Sequence, residues 1–207
     1  MRNVPSKEAY WEKKLNISTT AANFEKDDAN HSRYEPTSYA VLERLAESTW
    51  LENRHCVIDY GCGKGRVGFF LNHALGIRTV GVEYNPEIFA AAQSNHEMRF
   101  GKRSEGNMVS FVCESAENHE IGGADCFYFF NPFSEKILRT VLARITASYF
   151  DHPRPMLLFF YYATDAYIDC LMSQTALQKA GEIDCRDLFH NPDDRERILV
   201  FKIAYEV

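Results

Sequence analysis

The sequence predicts an α/β protein: a doubly wound, mostly parallel sheet of about seven strands behind an N-terminal helical extension. Three observations carry this expectation. Short β-type runs alternate with helical periodicity over residues 55–205. Two of those runs, DCFYFF and MLLFFYY, are apolar or nearly so, as strands buried on both faces of a parallel sheet are. The first run ends in a glycine-rich loop that opens a helix.

Residues 1–52 form the extension. They are polar and mixed, and fit two short helices with a loop around Asn30–Pro36. Beyond Pro36, Val41, Leu42, Leu45 and Ala46 fall at helical spacing, with Thr37 or Ser38 as N-cap of a helix running to about Trp50. Residues 53–207 read as one domain. His55–Tyr60 is its first strand. Arg66–Leu75 is a helix with Val67, Phe70, Leu71 and Ala74 on one face. Ile77–Glu83 is the second strand, and Pro86–Met98 a helix with Pro86 in its favourable first turn. Met108–Cys113 and Ala124–Phe130 are the third and fourth strands. Ser134–Phe150 is a helix capped by Ser134, Pro155–Tyr162 the fifth strand, and Ala166–Gln174 a helix with Asp165 as a candidate cap. Two strand candidates close the chain, near Glu182–Leu188 and Arg197–Tyr205. No clear helix separates them, so an antiparallel edge hairpin is expected.

Hydrophobic residues are 45% and charged residues 25% of the 207, which argues against wholesale disorder and a low-complexity chain. The net charge of -6 lowers the odds of a nucleic-acid partner, although a local basic patch stays open. Six cysteines occur with no CxxC pair and no zinc-spaced His. Buried reduced thiols are therefore expected, and with them a cytoplasmic location. The N-terminus lacks the apolar stretch of a secretory signal. Uncharged apolar runs such as Met156–Thr164 fall well short of the roughly 20 residues a membrane span needs. No HExxH or carboxylate cluster points to a metal, and no GxSxG to a serine nucleophile. Oligomeric state is not legible.

The chemistry concentrates in Val57-Ile58-Asp59-Tyr60-Gly61-Cys62-Gly63-Lys64-Gly65-Arg66. Glycines permit positive φ and let a ligand press on backbone. The loop sits at the carboxyl end of the first strand, where open α/β sheets bind ligands, and it exposes the N–H groups that open a helix. Dinucleotide spacing counted from Gly61 needs glycine at 66, where Arg66 stands. Counted from Gly63 it is met by Gly65 and Gly68, which keeps an NAD-type oxidoreductase as a rival. A P-loop is excluded, because no GK[ST] follows.

This DxGxGxG loop after a VIDY strand resembles motif I of the class I S-adenosylmethionine-dependent methyltransferases, and the resemblance runs in order and spacing over residues 55–205. It implies a Rossmann-like fold, S-adenosylmethionine as cofactor, and methyl transfer to an acceptor the sequence does not name. A small molecule or a protein is favoured over nucleic acid by the charge, and no membrane partner is expected. The resemblance assigns Asp59, Tyr60, Gly61, Cys62, Gly63 and Gly65 to the cofactor loop. Glu83, ending the second strand, would hold the ribose hydroxyls, since a carboxylate offers two oxygens to paired donors. Tyr84 would pack on adenine. After the third strand, Ser115 stands at the usual acidic place and would reach adenine with the Ala116 N–H, whereas Glu114 and Glu117 read equally as solvated loop residues.

Asn131-Pro132-Phe133, after the fourth strand, is similar to the Asn/Asp-Pro-Pro-Tyr/Phe motif of methyltransferases acting on amino or amide nitrogen. By that likeness Asn131 and the Pro132 carbonyl would accept from the target NH₂, and Phe133 would stack on it. The second proline of the motif is absent. Tyr128, Phe130, Phe133, Tyr161 and Tyr162 gather at the same strand ends, and aromatic faces favour a sulfonium. Tyr34, Tyr39 and Tyr161 are substrate-side candidates, the first two on a segment expected to cover the site. A further rival is a noncatalytic cofactor-binding or interaction protein.

Overall fold

The structure, a computed structural model, describes residues 6–20, 32, 34–102 and 108–203. Asn30 of the expected N-terminal loop and Tyr205 of the expected last strand lie outside the described residues. Seven strands form one sheet: β1 Cys56–Tyr60, β2 Arg78–Glu83, β3 Val109–Cys113, β4 Cys126–Phe129, β5 Leu157–Tyr161, β6 Leu177–Asp184 and β7 Arg197–Ile203. Their order is β3-β2-β1-β4-β5-β7-β6. The first five are parallel, and β7 runs antiparallel to both neighbours. The described helices are α1 Lys7–Leu15, α2 Tyr39–Glu47, α3 Arg66–Leu75, α4 Pro86–Phe100, α5 Glu135–Asp151 and α6 Asp165–Met172.

Strand alternation divides the core. Val57, Tyr128 and Phe159 point to the face covered by α1, α2, α3 and α4, while Ile58, Phe127 and Phe160 point to the face covered by α5 and α6. On the second face the Phe129 ring stacks on Phe160 at 4.6 Å and on Tyr60 at 5.2 Å. On the first, Trp11 of α1 meets Phe70 of α3 edge-on at 4.8 Å. The N-terminal helices thus share a core with the sheet.

Local chemistry sets the helix starts. The Ser38 hydroxyl accepts from the Ala40 N–H and caps α2, and the Asn85 side chain caps α4 ahead of Pro86. Four details differ from the sequence reading. Ser134 stands at the N-cap of α5, but its hydroxyl makes no capping bond. The α2 helix stops at Glu47, and Thr49–Leu51 tighten into a 3₁₀ turn. Thr164, not Asp165, caps α6 by accepting from the Tyr167 N–H. Strand β6 begins at Leu177, and Arg186–Leu188 form a 3₁₀ turn where strand was expected. As an edge strand, β6 exposes Gln178 and Lys179 and carries an irregularity between Lys179 and Gly181, which hides its period from the sequence.

Strand order reverses between β1 and β4, so the loops leaving their carboxyl ends diverge and open a crevice.

Candidate functional site

A pocket of about 900 Å³, counting its open mouth, fills that crevice. Of the residues singled out from sequence, it brings together Tyr34, Asp59, Gly61, Cys62, Gly63, Glu83, Tyr84, Ala116, Tyr128, Phe130, Pro132 and Phe133.

Two carboxylates form its floor. Glu83 ends β2 and is 6% exposed. Its Oε2 accepts from the Gly63 N–H at 3.0 Å and its Oε1 from the Asn85 N–H at 3.0 Å. This locks the loop between β1 and α3 onto the end of β2. Asp59 lies on β1 and is 3% exposed, and its Oδ2 has no hydrogen-bond partner among the described residues. Burial, with the Glu83 charge adding to it, pushes the Asp59 carboxyl up to about 8. An unpaired buried carboxyl oxygen costs free energy unless a donor reaches it, so Asp59 fits a cationic or N–H-bearing group in the pocket.

The glycine loop has a role the sequence did not reveal. Gly61 and Gly63 have φ of 72° and 56°. A Cβ on Gly61 would meet Pro132 Cβ at 2.3 Å, and one on Gly63 would meet the Tyr34 ring at 2.3 Å. The absent side chains therefore admit the β4 loop and the N-terminal segment. That segment is firmly held. Tyr34 Oη donates to the Thr19 carbonyl at 2.6 Å, and the Ser32 N–H donates to the Pro132 carbonyl at 3.1 Å. Thr37 Oγ1 and Tyr128 Oη share a 3.1 Å hydrogen bond. Buried Arg66 anchors the segment: it pairs with Glu8 at 2.5 Å and Glu12 at 3.4 Å, donates to Thr19 Oγ1 and the Thr37 carbonyl, and lies over the Tyr39 ring.

Several expected residues sit elsewhere. Tyr60 points to the opposite face, against Phe129, because strand alternation sends it away from Asp59. Gly65 caps α3 against the Phe111 ring and does not line the pocket. Ser115 pairs with Glu117, also outside the lining. Tyr39 is fully buried among Trp11, Phe70 and Arg66, so it packs α2. Tyr161 is buried beside Phe130 and donates to Glu196. Asn131, with φ of 43°, turns its amide away from the pocket: Nδ2 donates to the Tyr162 carbonyl at 2.6 Å, and Oδ1 accepts from the Thr164 N–H at 3.4 Å. It joins the loops after β4 and β5.

Glu35 and Arg66 also line it, with no role there assigned from sequence, as do Thr37, read from sequence as a helix cap, and Glu114, read equally as a solvated loop residue and held at 2.6 Å by His119 Nδ1. Arg66 follows the last loop glycine, but no sequence signal links it to Glu8 and Glu12. Among the described residues no cluster of His, Cys, Asp and Glu could hold a metal, and no helix is long and apolar enough to cross a membrane.

No protein-family model matches this chain, and no curated protein matches it in sequence. Solved structures do match in fold. The mitomycin 7-O-methyltransferase MmcR is 13% identical with a TM-score of 0.58, over 79% of this chain and 53% of that one, so this chain spans about half its length. An RNA methyltransferase from Salinibacter ruber, in complex with S-adenosyl-L-homocysteine, is 16% identical with a TM-score of 0.56, over 84% and 96% of the two chains. A TehB-like SAM-dependent methyltransferase from Corynebacterium glutamicum is 16% identical with a TM-score of 0.52, over 79% and 85%. The mixed seven-stranded sheet with flanking helices is the Rossmann-like fold of the class I methyltransferases.

Proposed function

We propose that this chain is a methyltransferase using S-adenosylmethionine. One observation carries the reading. At the β1–β4 crevice of this fold, Glu83 is bonded to the glycine loop, and Asp59, lining the same pocket, has a buried oxygen with no partner among the described residues. The residues fit the cofactor's chemistry. Glu83 would hold the ribose hydroxyls, with Tyr84, Ile88 and Ala116 lining the adenine side. Asp59 would receive an N–H or a positive charge from the amino-acid end. Tyr34 would cover that end, so residues 1–52 act as cover to the binding domain 53–207.

When bound, S-adenosylmethionine supplies a methyl carbon on a sulfonium, open to in-line displacement. The protein's task is to hold the reactants in line, which can be worth roughly 7–11 kcal/mol. Pro132 and Phe133, at the β4 end of the pocket, would face the acceptor, while Asn131 fixes their loop. We favour an amino or amide nitrogen on a small molecule or protein. Nucleic acid fits the net charge of -6 less well. The six free cysteines accord with a cytoplasmic location.

Calorimetric titration with S-adenosylmethionine, S-adenosylhomocysteine and NAD tests the reading, with Gly63→Arg and Glu83→Ala as controls. Binding of the first two that both controls abolish is expected. Binding of NAD alone would mean an oxidoreductase cofactor site. No binding at all would mean an interaction protein with a vestigial loop.

A further inference from the structure

The N-terminal segment does more at the pocket than cover it. Its backbone meets Pro132 through Ser32, and its Thr37 meets Tyr128. Ser32 and Thr37 are thereby held against the chain at Pro132 and Tyr128. Glu35 lies between those two contacts and Phe130 between their partners, and both line the pocket. Glu35 is exposed, and among the described residues it has no hydrogen-bond or ion-pair partner. Phe130 is partly buried, with its ring on Tyr161 at 4.8 Å.

The charges of the pocket point the same way. Three carboxylates line it, Glu35, Glu83 and Glu114, beside Asp59, whose carboxyl burial holds toward the protonated form. Arg66 is its only lining cation among the described residues, and Glu8 and Glu12 already neutralise it. Asp59, which also lines the pocket, has a buried oxygen with no partner among the described residues. A phosphate- or carboxylate-bearing acceptor would meet repulsion here and find no unneutralised cation among the described lining residues. An ammonium beside an aromatic ring would meet a carboxylate and a ring face.

We infer that the acceptor is a cationic amine with an apolar body, whose ammonium is received by Glu35 beside Phe130. The inference rests on the methyltransferase reading above. The bound ammonium first gives a proton to water, and the neutral amine attacks: a nitrogen–carbon bond forms to the methyl group as the carbon–sulfur bond breaks, its electron pair going to sulfur. The methylated ammonium then sheds a proton to water. Glu35 selects and orients the amine, and its carboxylate stabilises the charge the nitrogen acquires.

The test is calorimetry on the full chain saturated with S-adenosylhomocysteine, using three probes of similar shape: 2-phenylethylamine, 3-phenylpropanoate and phenyl phosphate. The amine is expected to bind at least tenfold more tightly than either anion. Glu35→Gln should remove that preference and leave S-adenosylhomocysteine affinity unchanged. Equal or tighter binding of the anions, no binding of the amine, or an unchanged preference in Glu35→Gln would overturn the assignment while the cofactor reading stands. Failure of S-adenosylhomocysteine itself to bind would overturn both.

Discussion

The Glu83 carboxylate and the Gly63 N–H are joined by a 3.0 Å hydrogen bond, which ties the end of β2 to the middle of the glycine loop. The other Glu83 oxygen takes the Asn85 N–H. Replacing Glu83 with Gln keeps one acceptor and turns an NH₂ toward the other N–H. Glu83→Gln is therefore expected to cost about 1–3 kcal/mol in urea unfolding, the usual range for a buried polar group left unpaired. It should also weaken S-adenosylhomocysteine binding by tenfold or more. Unchanged values of both would remove Glu83 from the site.

Asp59 makes ligand-free stability depend on pH. Its carboxyl is pushed up to about 8 by burial and by Glu83, with the Cys62 thiol and Tyr128 hydroxyl also nearby. In the unfolded chain it titrates near 4. Between those values the folded state holds a proton the unfolded state has lost. The contribution is complete below about pH 4 and fades as pH rises through about 8. Melting curves from pH 5 to 8 should show the wild type losing stability relative to Asp59→Asn. A cationic ligand favours ionised Asp59, so its binding should tighten over the same window in wild type alone.

Gly63 and Tyr34 are coupled by contact. A Cβ at Gly63 would stand 2.3 Å from the Tyr34 ring, at a φ that disfavours side chains. Gly63→Ala should destabilise by about 1–3 kcal/mol. Adding Tyr34→Ala removes the clash, so the double variant should lose less than the sum of the singles. Strict additivity in the cycle would show that the ring does not sit on the loop.

Arg66 secures the N-terminal segment. Arg66→Met leaves Glu8, Glu12 and the Thr37 carbonyl without their guanidinium, a change expected to cost about 3–5 kcal/mol. Limited proteolysis should cleave ahead of Tyr39 much sooner in the variant. Cleavage at the wild-type rate would mean that Trp11 and Leu15 alone hold the segment.

Asn131 occupies left-handed backbone and bridges Tyr162 and Thr164, so its effect should pass through loop position. Asn131→Ala is expected to lower kcat while S-adenosylhomocysteine affinity stays within about twofold, roughly 0.4 kcal/mol. Asn131→Gly, which restores the backbone freedom, should keep the loop more stable than Ala does. A large loss of cofactor affinity would place the side chain in the pocket instead.

Most of the fold was legible because it is written in local periods. The span Arg66–Leu75 emerges from the sequence with its observed ends, since Gly65 and Gly76 flank an amphipathic run. The parallel strands β4 and β5 announce themselves by apolar runs that need two covered faces. The β6 edge strand did not, because solvent on one side permits Gln178 and Lys179 there. Within the site, Asp59, Gly61, Gly63 and Glu83 were legible because strand ends and glycines fix where backbone must turn.

The sequence by itself determined the order of strands and helices, the glycine loop and the acid at the end of β2. Local spacing encodes these, and few folds accommodate them. Only the tertiary structure decided which neighbours in sequence share a space. Tyr60 adjoins Asp59 in the chain yet faces the other layer, whereas Arg66 meets Glu8, Tyr34 meets Gly63, and Glu35 and Phe130 line one pocket. The physical reason is that strand alternation separates adjacent residues, while long-range packing and hydrogen bonding join distant ones. Neither the partner of a side chain nor the face it ends on is carried by local spacing.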